Sequence, residues 1–152
     1  MKPEVIETKE VAVAEPVALD IRKLFGVNTK KAKDGTWIDF GSGFEIFARR
    51  ADDNNTEFQL AKSKVFSEAD FSRRIQMGMV TQEELNRVNA RLWADHVVID
   101  WKGVVLDGKE VPFSKEKFLE VVTMECMTDF LEMILTATAN RRNFRWEDTE
   151  KK

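Results

Sequence analysis

The side chains able to move protons, attack carbon or hold a metal are few in this chain, and they set the limits of its chemistry. His96 is the only histidine and Cys126 the only cysteine. A multi-histidine metal site or a Cys-His cluster therefore cannot be assembled within one chain. His96 lies near Asp95 and Asp100, a grouping general-base catalysis could use, but an imidazole at a helix end beside carboxylates serves structure far more often. Cys126 falls in an apolar helical stretch with no basic residue in its own turn to lower its pKa, so it is expected to be a small core residue and not a nucleophile. Gly41-Ser42-Gly43 has the composition of a phosphate loop but lacks the GKS/T ending and a following helix, and a hairpin turn is the better reading. No enzyme, cofactor or metal is expected from these residues.

A second set of residues is suited to binding. Met77, Met79, Met124, Met127 and Met133, with Trp101 and Trp146, could form an adaptable surface for a partner helix, because the unbranched thioether repacks against varied shapes. Helical spacing of apolar residues is the ordinary signature of burial, so core filling is the default expectation.

These residues must be positioned by a chain of 152 residues, enough for one domain with a real core. Charged residues make up 34%, above the average of about 25%, which suits a protein with much exposed surface. A net charge of −3 leaves no basic footprint for nucleic acid. No apolar run approaches the ~20 residues a bilayer requires. One cysteine and no apolar signal segment fit a reducing cytosol.

Along the chain, residues 1–19 read as a disordered arm, 20–144 as a single globular domain and 145–152 as a charged tail. Asp20 to Val27 can form a helical turn or two, stopped by Gly26, and Asn28 to Gly35 reads as a basic loop. Thr36 to Phe40 and Phe44 to Arg50 flank Gly41-Ser42-Gly43 as a β-hairpin, which needs helices or a further strand such as Val97 to Trp101 to cover it. Thr56-Glu57-Phe58-Gln59 has the form of a capping box, opening a helix to about Lys64. Ser67 to Asp70 opens another, with Phe66 and Phe71 as a staple and Gly78 at its end. Thr81-Gln82-Glu83-Glu84 is the clearest capping box, and Leu85, Val88, Leu92 and Trp93 share one face of the helix that runs to about His96.

Asp107-Gly108 is a turn, and Ser114 is the expected N-cap of a helix from Lys115 to about Val122, stapled by Phe113 and Phe118. Trp101, Phe113 and Phe118 are thus the expected structural anchors. A last helix spans Glu125 to Arg142, with Met127, Phe130, Leu131, Ile134 and Thr138 on one stripe. The fold class is α+β, predominantly helical, with an N-terminal β-hairpin packed against about four to five helices.

Asp39-Phe40-Gly41-Ser42-Gly43-Phe44, Arg49-Arg50-Ala51, Asp100-Trp101-Lys102-Gly103-Val104, Asp107-Gly108, Pro112-Phe113-Ser114 and Asn143-Phe144, in that order, resemble the tail assembly chaperones of long-tailed bacteriophages. The resemblance runs from about Trp37 to Phe144. It implies a non-catalytic protein of the host cytoplasm, absent from the finished virion, that binds and solubilises the tape measure protein and helps recruit tail tube subunits. It also implies possible self-association and a longer frameshifted form near Lys151-Lys152. Met127 and Met133 are the expected partner contacts. The alternative is a structural virion component, such as a tail or head completion protein.

Overall fold

The computed structural model describes residues 20–146. The expected arm, residues 1–19, and most of the expected tail, residues 147–152, lie outside the described residues. Asn28 to Phe144 form one compact unit, and Asp20 to Val27 and Arg145-Trp146 fall in a second.

In that second unit, α1 (Ile21–Phe25) is capped by the Asp20 carboxylate, which accepts from the Arg22 backbone N–H at 2.9 Å. The same carboxylate grips the Arg22 guanidinium at 2.7 Å, which holds its pKa down at about 2. The helix ends at Gly26, where a Cβ would run into the Arg22 carbonyl oxygen.

The stretch expected to be a basic loop is a helix, α2 (Thr29–Asp34). The Asn28 carboxamide oxygen accepts from the N–H groups of Lys30 and Lys31, Ala32 is fully buried, and the Asn28 N–H is tied to the Phe144 carbonyl at 2.7 Å. An N-cap and one buried alanine outweigh the solvated lysines.

Strands β1 (Thr36–Gly41) and β2 (Phe44–Ala48) form the expected hairpin, and β3 (Val98–Lys102) pairs antiparallel with β2, placing Trp101 opposite Ile46. Strand β2 stops at Ala48, short of the expected Arg50, because its backbone donors turn to other partners. Arg49 N–H reaches Val97 O, Arg50 N–H reaches Ala32 O, and Ala51 N–H reaches Thr138 O. The first holds the chain to the start of β3, and the other two tie it to α2 and to the last helix.

Between β2 and β3 run α3 (Thr56–Phe66), α4 (Ala69–Gln76) and α5 (Gln82–His96). The cap of α3 is Asn55, one residue before the expected Thr56. Its Oδ1 accepts from Phe58 N–H at 3.2 Å, and its Nδ2 donates to Arg50 O and His96 O. Gln59 reaches Asp53 and does not fold back on the cap. Helix α4 is capped by the Glu68 carboxylate, where Ser67 was expected, although the Phe66 and Phe71 rings do meet at 5.6 Å. It closes on Gly78, with Met79 N–H bonded to Arg74 O and Gly78 N–H to Ile75 O, a Schellman ending.

A small hairpin of β4 (Val105–Leu106) and β5 (Lys109–Glu110) turns at Asp107-Gly108. Ser114 then caps α6 (Lys115–Val122), accepting from Lys117 N–H at 3.0 Å, while the Phe113 and Phe118 rings lie 6.3 Å apart. A 3₁₀ turn (Glu125–Met127) leads into α7 (Thr128–Ala139), and a second 3₁₀ turn (Arg141–Phe144) follows. The last helix is thus shorter at both ends than expected. Asn140 is extended, and the Asn143 carboxamide donates to Ala137 O at 2.8 Å to close α7.

The architecture is α+β and predominantly helical, a small antiparallel sheet with five helices following its hairpin. Its core holds Ile46, Phe58, Trp93, Val97, Trp101, Phe118, Leu131, Ile134 and Phe144. Phe58 meets Trp93 edge to face at 4.9 Å, and the Trp93 indole N–H donates to the fully buried Thr138 hydroxyl at 2.8 Å. Thr138→Val keeps the shape but strands that donor, and is expected to cost about 1–3 kcal/mol in urea unfolding. An unchanged midpoint would show the bond to be dispensable.

Candidate functional site

The residues nominated for chemistry do not converge. His96 ends α5 with its Nδ1 buried and without a hydrogen-bond partner. Asp95 pairs instead with Lys115 at 3.0 Å, and Asp100 accepts from the Trp101 backbone N–H at 2.8 Å. Cys126 is exposed on the 3₁₀ turn before α7, contrary to the expected core position, because that turn breaks the α-helical period that would carry it inward. Gly41-Ser42-Gly43 is the hairpin turn. Among the described residues no His, Cys, Asp and Glu group is arranged to hold a metal ion, and no helix is long and apolar enough to cross a membrane.

The anchors do come together. Trp101 is buried, with the Phe113 ring edge-on at 5.3 Å and the Phe118 ring at 6.2 Å, and its indole N–H donates to Val111 O at 2.8 Å. On the other face of the sheet Trp37 packs on Phe47, with the Lys102 ammonium 4.2 Å above the Trp37 ring.

The apolar surface is where the structure departs most from expectation. Core filling was the default for the methionines, yet Met77 is 60% exposed, Met79 57% and Met133 44%. Met124 and Met127 are half-buried beside the first 3₁₀ turn. Met77 and Met79 bracket the Schellman glycine, where the chain leaves α4, so no helical face carries them inward. Leu60 and Ile75 are exposed as well. Leu60 was legible in principle, since two positions beyond the buried Phe58 is roughly 200° round the helix.

Two clefts flank α7. One, of about 560 Å³, lies against β1 and includes Ile38, Phe40, Met133 and Ala137. The other, of about 900 Å³, faces α3 and α5 and includes Lys62, Asn86, Asn89, Trp93 and Leu135. A third groove, of about 800 Å³, runs between α3, α4 and α5 over Ala61, Val65, Phe71, Val88 and Leu92.

The Arg74 guanidinium fixes the spacing of α4 and α5 along this third groove, bonding both Glu84 oxygens at 3.0 and 2.7 Å and Asp70 at 3.2 Å. This use of Glu84 replaces half of the expected capping box; Thr81 still accepts from Glu84 N–H. The Arg74 hydrogen bonds hold the Glu84 carboxyl below its ordinary value of 4.5. A lowered carboxylate pKa means that the clamp contributes fully above the ordinary value and is lost as pH falls through the lowered one. Acid titration followed at the α4 and α5 amides should show the two helices loosening in that window. Glu84→Gln should remove the dependence; persistence in that variant would assign it elsewhere.

Against known proteins, the model of the YdaY prophage protein family matches residues 40–152. No curated protein and no solved structure matches the chain. The matched span takes in the turn of the hairpin, β2 and every later element, including α7 and the exposed methionines that follow α4. With about three quarters of its length matched, the chain belongs to the YdaY prophage protein family.

Proposed function

We propose that this chain is a phage tail assembly chaperone, a non-catalytic protein of the host cytoplasm that binds and solubilises the tape measure protein and helps recruit tail tube subunits. The observation that carries this reading is the apolar side chains left in solvent on the helical half, Leu60, Ile75, Met77, Met79 and Met133. A prophage family supplies the setting.

A very long helix waiting for its tube exposes apolar stripes that would otherwise self-associate. A chaperone has to cover them reversibly, which favours several weak, adaptable contacts over one deep pocket, and thioethers are suited to that. Several copies along one tape measure add avidity without high affinity at each site. Met133, exposed on α7, and Met127, half-buried beside it, are the proposed contact residues.

Deleting the gene from an inducible prophage tests this. The expected outcome is loss of tails with the tape measure protein in the insoluble fraction, and purified wild-type particles that lack this chain. Stoichiometric chain in the particles would favour a tail or head completion component instead.

A further inference from the structure

The cleft between β1 and α7 joins apolar surface to unbalanced charge. Its apolar floor is Ile38, Phe40, Met133 and Ala137, its helical wall carries the acids Asp129 and Glu132, and among the described residues no Lys or Arg lines it; Asp39, at its strand edge, alternates with Ile38 and Phe40 and belongs to the Trp37 face of the sheet. Neither Asp129 nor Glu132 forms an ion pair among the described residues, whereas Asp70, Glu83, Glu84, Asp95 and Glu120 each do. Asp129 has a local role, in the first turn of α7 where the helix dipole favours an acid. Glu132, in the middle of α7, has no such role. Asp129, Glu132, Met133 and Thr136 follow helical spacing and share the outward ridge of α7.

We infer that this cleft docks a helical segment carrying Lys or Arg beside an apolar stripe. The stripe lies over Phe40, Met133 and Ala137, and the cations meet Asp129 and Glu132. The inference rests on the chaperone reading for the source of the segment and adds its sign of charge. An acidic helix of equal hydrophobicity would be repelled by the same two carboxylates.

The test uses the full chain and two synthetic amphipathic peptides of about 20 residues, long enough to form a helix when docked. They share one Leu/Met stripe and differ only in flanks of Lys or of Glu. The Lys peptide is expected to bind about tenfold more tightly at low salt, with the advantage shrinking as ionic strength rises. Glu132→Lys should remove that advantage and Glu132→Gln part of it, while Glu110→Lys, outside the cleft, leaves it unchanged; circular dichroism verifies the fold of each variant. Equal affinity for the two peptides, or Lys-peptide binding untouched by Glu132→Lys in a folded chain, overturns the inference. So does a tape measure protein that needs the wild-type chain for solubility but is served equally by Glu132→Lys, an outcome that leaves the chaperone reading intact. If solubility ignores the chain altogether while the peptide preference holds, the chaperone reading fails and the cleft stands.

Discussion

Trp101→Ala is expected to cost about 3–5 kcal/mol, comparable to the whole stability of many domains of this size. The indole is buried near the end of β3, paired across from Ile46, and walled by the rings of Phe113 and Phe118. Truncation removes those contacts, leaves a cavity the sheet cannot collapse into, and strips the Val111 carbonyl of its indole donor. Trp101→Phe keeps most of the ring and should lose only about 1 kcal/mol beyond the packing change. In thermal unfolding the alanine variant should melt roughly 10 °C or more below the wild type. A melting temperature unchanged by Trp101→Ala would remove the anchor role.

Gly103→Ala should be nearly as damaging, for a backbone reason. Gly103 has φ +81°, and a Cβ there would strike the Gly43 carbonyl oxygen and come within 3.1 Å of the Phe44 Cα. The collision is with backbone, so no rotamer relieves it, and it sits where Glu45 pairs with Lys102 at the end of the β2 and β3 ladder. Left-handed strain contributes roughly 1–2 kcal/mol and the forced separation at least as much, about 3 kcal/mol in all. Gly108→Ala is the control, with φ +75° and nothing near its Cβ, so it carries the strain alone. If the two variants unfold at the same denaturant concentration, the hairpin turn does not press on β3.

Local signals were legible in the sequence and long-range ones were not. Ser114, Thr81 and Gly78 act at helix ends as their types require, because a cap is settled within a turn of chain. Between Asn55 and Thr56 the local N-cap ranking favours asparagine, and the fold reinforces it. The Asn55 carboxamide also reaches His96 O, 41 positions away in the chain. The helix at Thr29 was hidden by its lysines, since its one buried side chain is an alanine and its cap is tied to Phe144 from the far end of the domain.

Periodicity also over-reached at helix ends. It counted Met77 and Met79 as core although both follow the last residue of α4, and it carried Cys126 inward through a 3₁₀ turn. The candidate surface was therefore legible in residue type but not in exposure. The β1 and α7 cleft depends on bringing Ile38 and Phe40 beside Glu132 and Met133, which no spacing in the chain announces.

The chaperone reading meets its most direct test in co-expression. The very long, helix-rich tape measure protein of the same prophage is produced with and without this chain, and the soluble and insoluble fractions are compared. The account predicts a tape measure protein that is soluble and co-purifies with the chain when both are present, and that sediments when it is alone. Equal solubility in both cases, with no co-purification, would contradict it.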